Sequence, residues 1–184
     1  MAITSTPSGR GSGQLHRRGV ALYPRGLPVI EIETHIAAPI ERVFDLSRSV
    51  DLHVASTAQT REVAIAGVTS GLMAMGDQVT WQATHFAVRQ RLTSQITAFS
   101  RPHHFRDAMV DGAFRRFDHD QYFESSDTGT CMRDVFDYAS PLGVLGQLAD
   151  ALFLRRYVCR LLLKRNALVK SVAESDAWMS FLED

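Results

Sequence analysis

The sequence predicts an α+β domain: a curved antiparallel sheet of about seven strands wrapped around one long C-terminal helix, with two short helices after the first strand. Three observations lead there. Between residues 60 and 139, apolar and polar residues alternate in short runs separated by Gly67, Gly71, Gly76, Pro102, Gly112 and the turn "SDTG". The one long helical period comes after those runs, and the early helical stretch follows the first strand directly. A sheet with its helices gathered on one face is the α+β solution, and strong curvature leaves room for a cavity under the helix.

Residues 1–28 carry Arg10, Arg17, Arg18 and Arg25, no acidic residue, and many Gly, Ser and Pro. They are expected to be a disordered N-terminal tail. Taking those four from 20 basic residues leaves 16 against 20 acidic ones, so the body is net acidic by about four charges. That argues against a nucleic-acid partner, which calls for an excess of Lys and Arg. The domain proper is expected over 29–174, with 175–184 a C-terminal tail.

"VIEIETHIAA" (29–38) alternates and reads as the first strand, with Ile30, Ile32, Thr34 and Ile36 on one face. Pro39 then opens a short helix whose Ile40, Val43, Phe44 and Leu46 turn inward. A second short helix follows over 47–56, capped by Ser47 or Ser49. Six further strands are expected at about 60–66, 77–86, 88–100, 103–110, 115–125 and 129–139. The long helix is expected over 144–172. Leu145, Leu148, Leu152, Cys159, Leu162 and Leu163 form one apolar face of it, and Arg156, Arg160 and Lys164 a basic ridge. Leu154, Leu161 and Leu168 make a second line, expected to meet the C-terminal "WMSFL", a second subunit in a homodimer, or lipid.

Alternation also assigns the sheet's inner face. It carries Val79, Trp81, Ala83 and His85, then Gln90, Leu92, Ser94, Ile96 and Ala98. Phe105, Asp107 and Met109 follow, then Phe117, His119, Gln121 and Phe123, and last Thr130, Met132, Asp134 and Phe136. A one-residue slip would reverse any of these sets. Two imidazoles and two carboxylates on such a face are costly to bury unpaired. Either His–Asp hydrogen bonds brace neighbouring strands, or His85, His119, Asp107 and Asp134 form the polar, acid–base part of an apolar pocket. His53 either caps that pocket from the second short helix or lies at the surface. His103 and His104 are expected to be exposed.

Four phrases carry a family resemblance: "IAAPIERVFDLSRSVDLH", "AIAGVTSGLMAMGDQVTWQATHF", "TSQITAFSRPHHFRDAMVDGAF" and "MRDVFDYASPLGVLGQLAD". On them the chain resembles the SRPBCC superfamily, with its START domains and birch-pollen-allergen-like proteins, and within it a bacterial polyketide cyclase/dehydrase-like branch. The resemblance implies the helix-grip fold and an internal cavity for a small hydrophobic, aromatic or polyketide-like ligand. Trp81, His53, Leu92, Phe105, Met109, Phe117, Gln121, Met132 and Phe136 are the candidate ligand contacts. It also implies enolate formation, aldol closure and dehydration, with His85 or His119 as base, oriented by Asp107 or Asp134. Where such relatives often show His-x-His in the sixth strand, this chain reads "HDQ".

Other classes lack their signatures. There is no phosphate loop, dinucleotide fingerprint or G-x-S-x-G elbow, so no cofactor is expected. Cys131 and Cys159 have no CxxC spacing, no metal site is expected, and a reducing cytoplasm is the natural setting. No apolar run approaches the roughly 18 residues of a membrane span. Two further readings stand beside the cyclase: a non-catalytic carrier of lipid or another hydrophobic ligand, and a protein- or membrane-interaction module using the long helix.

Overall fold

The computed structural model describes residues 29–85, 87–139 and 153–182. Seven strands form one antiparallel sheet: β1 (Val29–Ile36), β2 (Val63–Gly67), β3 (Gln78–His85), β4 (Val88–Ser100), β5 (His104–Asp111), β6 (Arg116–Ser126) and β7 (Gly129–Ala139). Their spatial order is β1-β7-β6-β5-β4-β3-β2, so β2 to β7 meander and β1 closes onto the last strand. β1 pairs with β7 from Val29↔Asp137 to Ile36↔Thr130, which sets Ile30, Ile32, Thr34 and Ile36 inward and buried. Gly129 opens β7 at φ 135°, and a Cβ there would stand 2.2 Å from the Ile36 carbonyl oxygen. Only glycine lets the β6–β7 turn come so close to β1.

Helices α1 (Ile40–Ser47) and α2 (Val50–Ser56) follow β1. Pro39 caps α1 with an extended ψ and supplies no side-chain bond, while the Ser49 hydroxyl accepts from the Leu52 N–H at 3.3 Å and starts α2. Phe44 is fully buried at the centre of the main core, with Phe99, Phe105 and Phe123 packed edge-on at 5.4, 5.4 and 5.2 Å. A second cluster gathers Ile30, Ile32, Phe117, Phe136 and Tyr138 under Val158 and Leu162.

The expected alternation holds on β1, β3, β5, β6 and β7 and breaks once on β4. Ile96 pairs with Asp107 but Ala98 with Arg106, so Thr97 is the extra residue of a bulge. Downstream of it Phe99, not Ala98, packs with the main core. His104 is likewise half-buried rather than exposed, because its ring meets Asp120 at 2.7 Å and stacks on Tyr122.

Helix α3 (Arg155–Ala173) lies against β1, α1 and α2. Its buried residues are Val158, Leu162, Arg165, Asn166, Val169, Val172 and Ala173. The expected helical residues Leu145, Leu148 and Leu152 lie outside the described residues. Cys159 and Leu163 pack half-buried against the second cluster, and Arg156, Arg160 and Lys164 are exposed. The second leucine line divides between two places. Leu154 and Leu161 line the internal cavity and Leu168 packs on the main core, because a curved sheet covers a wider arc of helix than a flat one. A 3-10 turn (Asp176–Trp178) and α4 (Met179–Leu182) follow α3, and Trp178, Phe181 and Leu182 pack against that core. No described helix is long and apolar enough to cross a membrane.

Candidate functional site

Between the sheet and α3 lies a cavity of about 360 Å³. At interior packing density that volume holds roughly fifteen non-hydrogen atoms. Its walls are mainly apolar: Val79, Trp81, Leu92 and Ile96 from β3 and β4, Phe105, Phe117 and Phe136 from β5 to β7, and Val158, Leu161 and Leu162 from α3. Two groups of polar side chains interrupt them.

The first group is a row across the sheet. Ile96 pairs with Asp107, Asp107 with His119, and Gln121 with Asp134, while Ser94 stands two residues before Ile96. Asp134 is the hub. Its carboxylate accepts from His119 Nε2 at 2.9 Å and Asn166 Nδ2 at 2.6 Å, and Arg165 Nη1 stands 3.6 Å away. Burial raises the Asp134 carboxyl, but His119, Arg165 and the Asn166 amide outweigh it and hold its pKa below the ordinary 3.8. An ionised carboxylate only accepts, so His119 donates from Nε2, and in the neutral ring Nδ1 keeps its lone pair. His119 lines the cavity, whereas Asp134 lies behind the wall. Nδ1 makes no hydrogen bond among the described residues.

Asp107 faces the same cavity. Burial pushes its carboxyl above 3.8, more than Ser94, His119, His53 and Arg165 pull it down. Ser94 Oγ, Asp107 Oδ1, Gln121 Oε1 and Arg165 Nη1 are all enclosed and lack a hydrogen-bond partner among the described residues. Arg165 is anchored by Nη2, which donates to the Ser47 carbonyl at 2.6 Å. The Asp107 shift fixes the sign of a test. With a folded pKa above the unfolded 3.8, the folded state holds the proton longer, so the native carboxyl costs stability once pH rises through that window. Asp107→Asn is expected to stabilise the fold by about 1–2 kcal/mol at pH 7 and by nothing below pH 3.8, read from thermal melts across pH.

The second group lies on β3, α2 and α3. His85 Nδ1 meets the Tyr157 hydroxyl at 2.7 Å, ring edge to ring face. Burial lowers the His85 pKa more than the charge of Glu62 raises it, and burial with Glu62 raises that of the Tyr157 phenol. Both groups are therefore neutral at neutral pH. His53 Nε2 lies 3.0 Å from Glu62 Oε1, and its ring packs on Trp81 at 4.3 Å.

No family model matches the chain, and no curated protein matches it. Solved structures do. The Thermus thermophilus protein TTHA0849 superposes with a TM-score of 0.62 at 18% identity, over 79% of this chain and 99% of that one. Protein Ms6760 from Mycobacterium smegmatis gives 0.61 at 20% identity, over 84% and 96%. The major latex-like protein 151 of Panax ginseng gives 0.60 at 13% identity, over 80% and 97%. The chain has the helix-grip fold of these structures.

The helix-grip sheet brings most of the candidate residues to one cavity. His85, His119, Asp107, Trp81, His53, Leu92, Phe105, Phe117, Gln121 and Phe136 all line it. Three do not. Asp134 stands behind His119, Met132 is fully buried in the main core 3.5 Å from the Ser47 hydroxyl, and Met109 packs against the second cluster. His85 lacks the carboxylate partner expected of Asp107 or Asp134. β3 lies two strands from β5 and four from β7, about 10 and 19 Å at ordinary strand spacing.

The sequence reading missed Arg165, Asn166, Tyr157 and Glu62. For the first two a signal existed: they lie three and four residues after Leu162 and before Val169, on the apolar face of the long helix. On the sheet's outer face, clear of the cavity, Glu33, His35 and Cys131 bring their ligating atoms within 4.8 Å of one another.

Proposed function

We propose that this protein binds a small hydrophobic ligand, aromatic or polyketide-like, in the helix-grip cavity. The observation that carries the reading is that Ser94 Oγ, Asp107 Oδ1, Gln121 Oε1 and Arg165 Nη1 are enclosed at a mainly apolar cavity and make no hydrogen bond among the described residues. Native proteins leave few such atoms unpaired, and each is costly unless a ligand or water meets it. Native mass spectrometry of the protein purified from its own host tests this directly. A retained small molecule of roughly fifteen non-hydrogen atoms is expected. Ser94→Phe places a ring in the cavity and removes an unpartnered hydroxyl. It is expected to keep the melting temperature and weaken an apolar fluorescent probe at least tenfold, about 1.4 kcal/mol. Unchanged probe affinity in that variant, with no retained molecule, rejects the reading.

A further reading, cyclase or dehydrase activity, is favoured over a passive carrier by the His119–Asp134 pair. His119 Nδ1 takes a proton from a carbon α to a ligand carbonyl, and Asp134 stabilises the imidazolium so formed. The enolate oxygen is met by Arg165 Nη1 and Ser94 Oγ. The enolate carbon attacks a second carbonyl of the same molecule, forming the ring bond, and that oxygen takes up the proton from His119. Dehydration repeats the pattern: His119 removes the next α-proton and passes it to the β-hydroxyl, which leaves as water and returns the imidazole to its neutral form. In a carrier the same groups only orient the ligand.

A further inference from the structure

We propose that the ligand is bipolar: a rigid apolar body with a hydrogen-bonding group at each end, one at the Ser94–Asp107–His119 row, the other at His85 and Tyr157. The inference rests on the ligand-binding reading above and specifies what that ligand must look like. Both polar groups open on one cavity, and the wall between them is mainly apolar. Along α3, Tyr157 and Arg165 stand eight residues apart, about 12 Å at 1.5 Å per residue, with Val158, Leu161 and Leu162 between them. Along the sheet, the inward pairs run from His85↔Val88 through Ala83↔Gln90 and Trp81↔Leu92 to Val79↔Ser94, so Ala83, Trp81, Leu92 and Val79 lie between the two ends with Gln90 the one polar side chain among them.

Each end offers an unused group. At the first stand the Ser94, Asp107, Gln121 and Arg165 atoms that make no hydrogen bond among the described residues. At the second, His85 uses Nδ1 on Tyr157, and its Nε2 makes no hydrogen bond among the described residues. His85 lines the cavity, and burial holds its ring neutral, so Nε2 is left as a neutral donor or acceptor. A ligand polar at one end only would press apolar atoms onto that nitrogen. A ligand polar at both ends satisfies it, and neutral groups such as hydroxyls or carbonyls suit it better than ions.

Three probes of one shape separate the possibilities: biphenyl, 4-phenylphenol and 4,4′-dihydroxybiphenyl, titrated calorimetrically into the wild-type protein. The diol is expected to bind at least tenfold more tightly than 4-phenylphenol. In Tyr157→Phe, and in His85→Leu should that variant fold better, the gap is expected to close to within twofold. The readout is a ratio within one variant, so a general loss of affinity does not imitate it. A diol that binds wild type no better than 4-phenylphenol overturns the proposal and leaves a one-ended pocket. A tenfold gap that survives both substitutions also overturns it, since the second contact then lies elsewhere. If none of the three binds, the ligand-binding reading falls with it.

Discussion

Asp134→Ala is expected to destabilise the protein by about 3–5 kcal/mol, the usual result of stripping one partner from a buried ionic group. For a chain of this size that lowers the melting temperature by roughly 10 °C. Asp134 is fully enclosed and serves three groups at once: the His119 ring, the Asn166 amide and the Arg165 guanidinium. Alanine leaves two donors and a cation stranded, and Arg165 keeps only its bond to the Ser47 carbonyl. The pH dependence has a definite sign. Because the folded pKa lies below the unfolded 3.8, the carboxylate's contribution is complete above 3.8 and is lost as pH falls through the folded value. The wild-type advantage should therefore be full at pH 7 and shrink in strong acid. A shift of only a degree or two at pH 7 would show that the hub is not what ties α3 to the sheet.

His119→Gln carries the largest expected effect on chemistry. A glutamine amide can still donate to Asp134, so the fold should survive, but it has no lone pair able to take a proton near neutral pH. If the protein turns over a poly-β-ketone, the rate should fall by about 100-fold or more while affinity stays within a factor of about three. Parallel loss of affinity and rate would make His119 a binding residue alone. Cyclisation that proceeds at the wild-type rate would remove proton transfer by this ring and leave the carrier reading.

The fold was legible because each strand repeats its own instruction. Five alternating inner faces, from Ile30 to Phe136, are given by spacing alone, and a buried face tolerates no slip of register. β4 resisted because nothing in "SQITAFS" marks Thr97 as the bulged residue: a β-branched threonine suits a regular strand position equally well. The site was legible only in part. His119, Asp107 and Trp81 follow from register, but partnership does not: alternation says which face a side chain takes, not which strand stands beside it. Hence alternation alone sets His85 beside carboxylates that lie too many strands away. Arg165 was passed over because basic residues on a helix are usually solvated, and only its position among apolar neighbours distinguished it from Arg156, Arg160 and Lys164.

The pairing of β1 with β7 also governs how the chain must be made. Val29 finds its partner only at Asp137, so during synthesis the first strand emerges with an open edge roughly a hundred residues before anything can close it. At ordinary translation speeds that is on the order of 5–20 s. The meander from β2 to β7 can zip up by local hairpins in that time, since each strand meets its neighbour next in line. β1 cannot, and its inward Ile30, Ile32 and Ile36 need cover until β7 and then α3 arrive. Its alternating Glu31, Glu33 and His35 put charged and polar groups on the other face of that waiting strand, a built-in guard against pairing with the wrong chain.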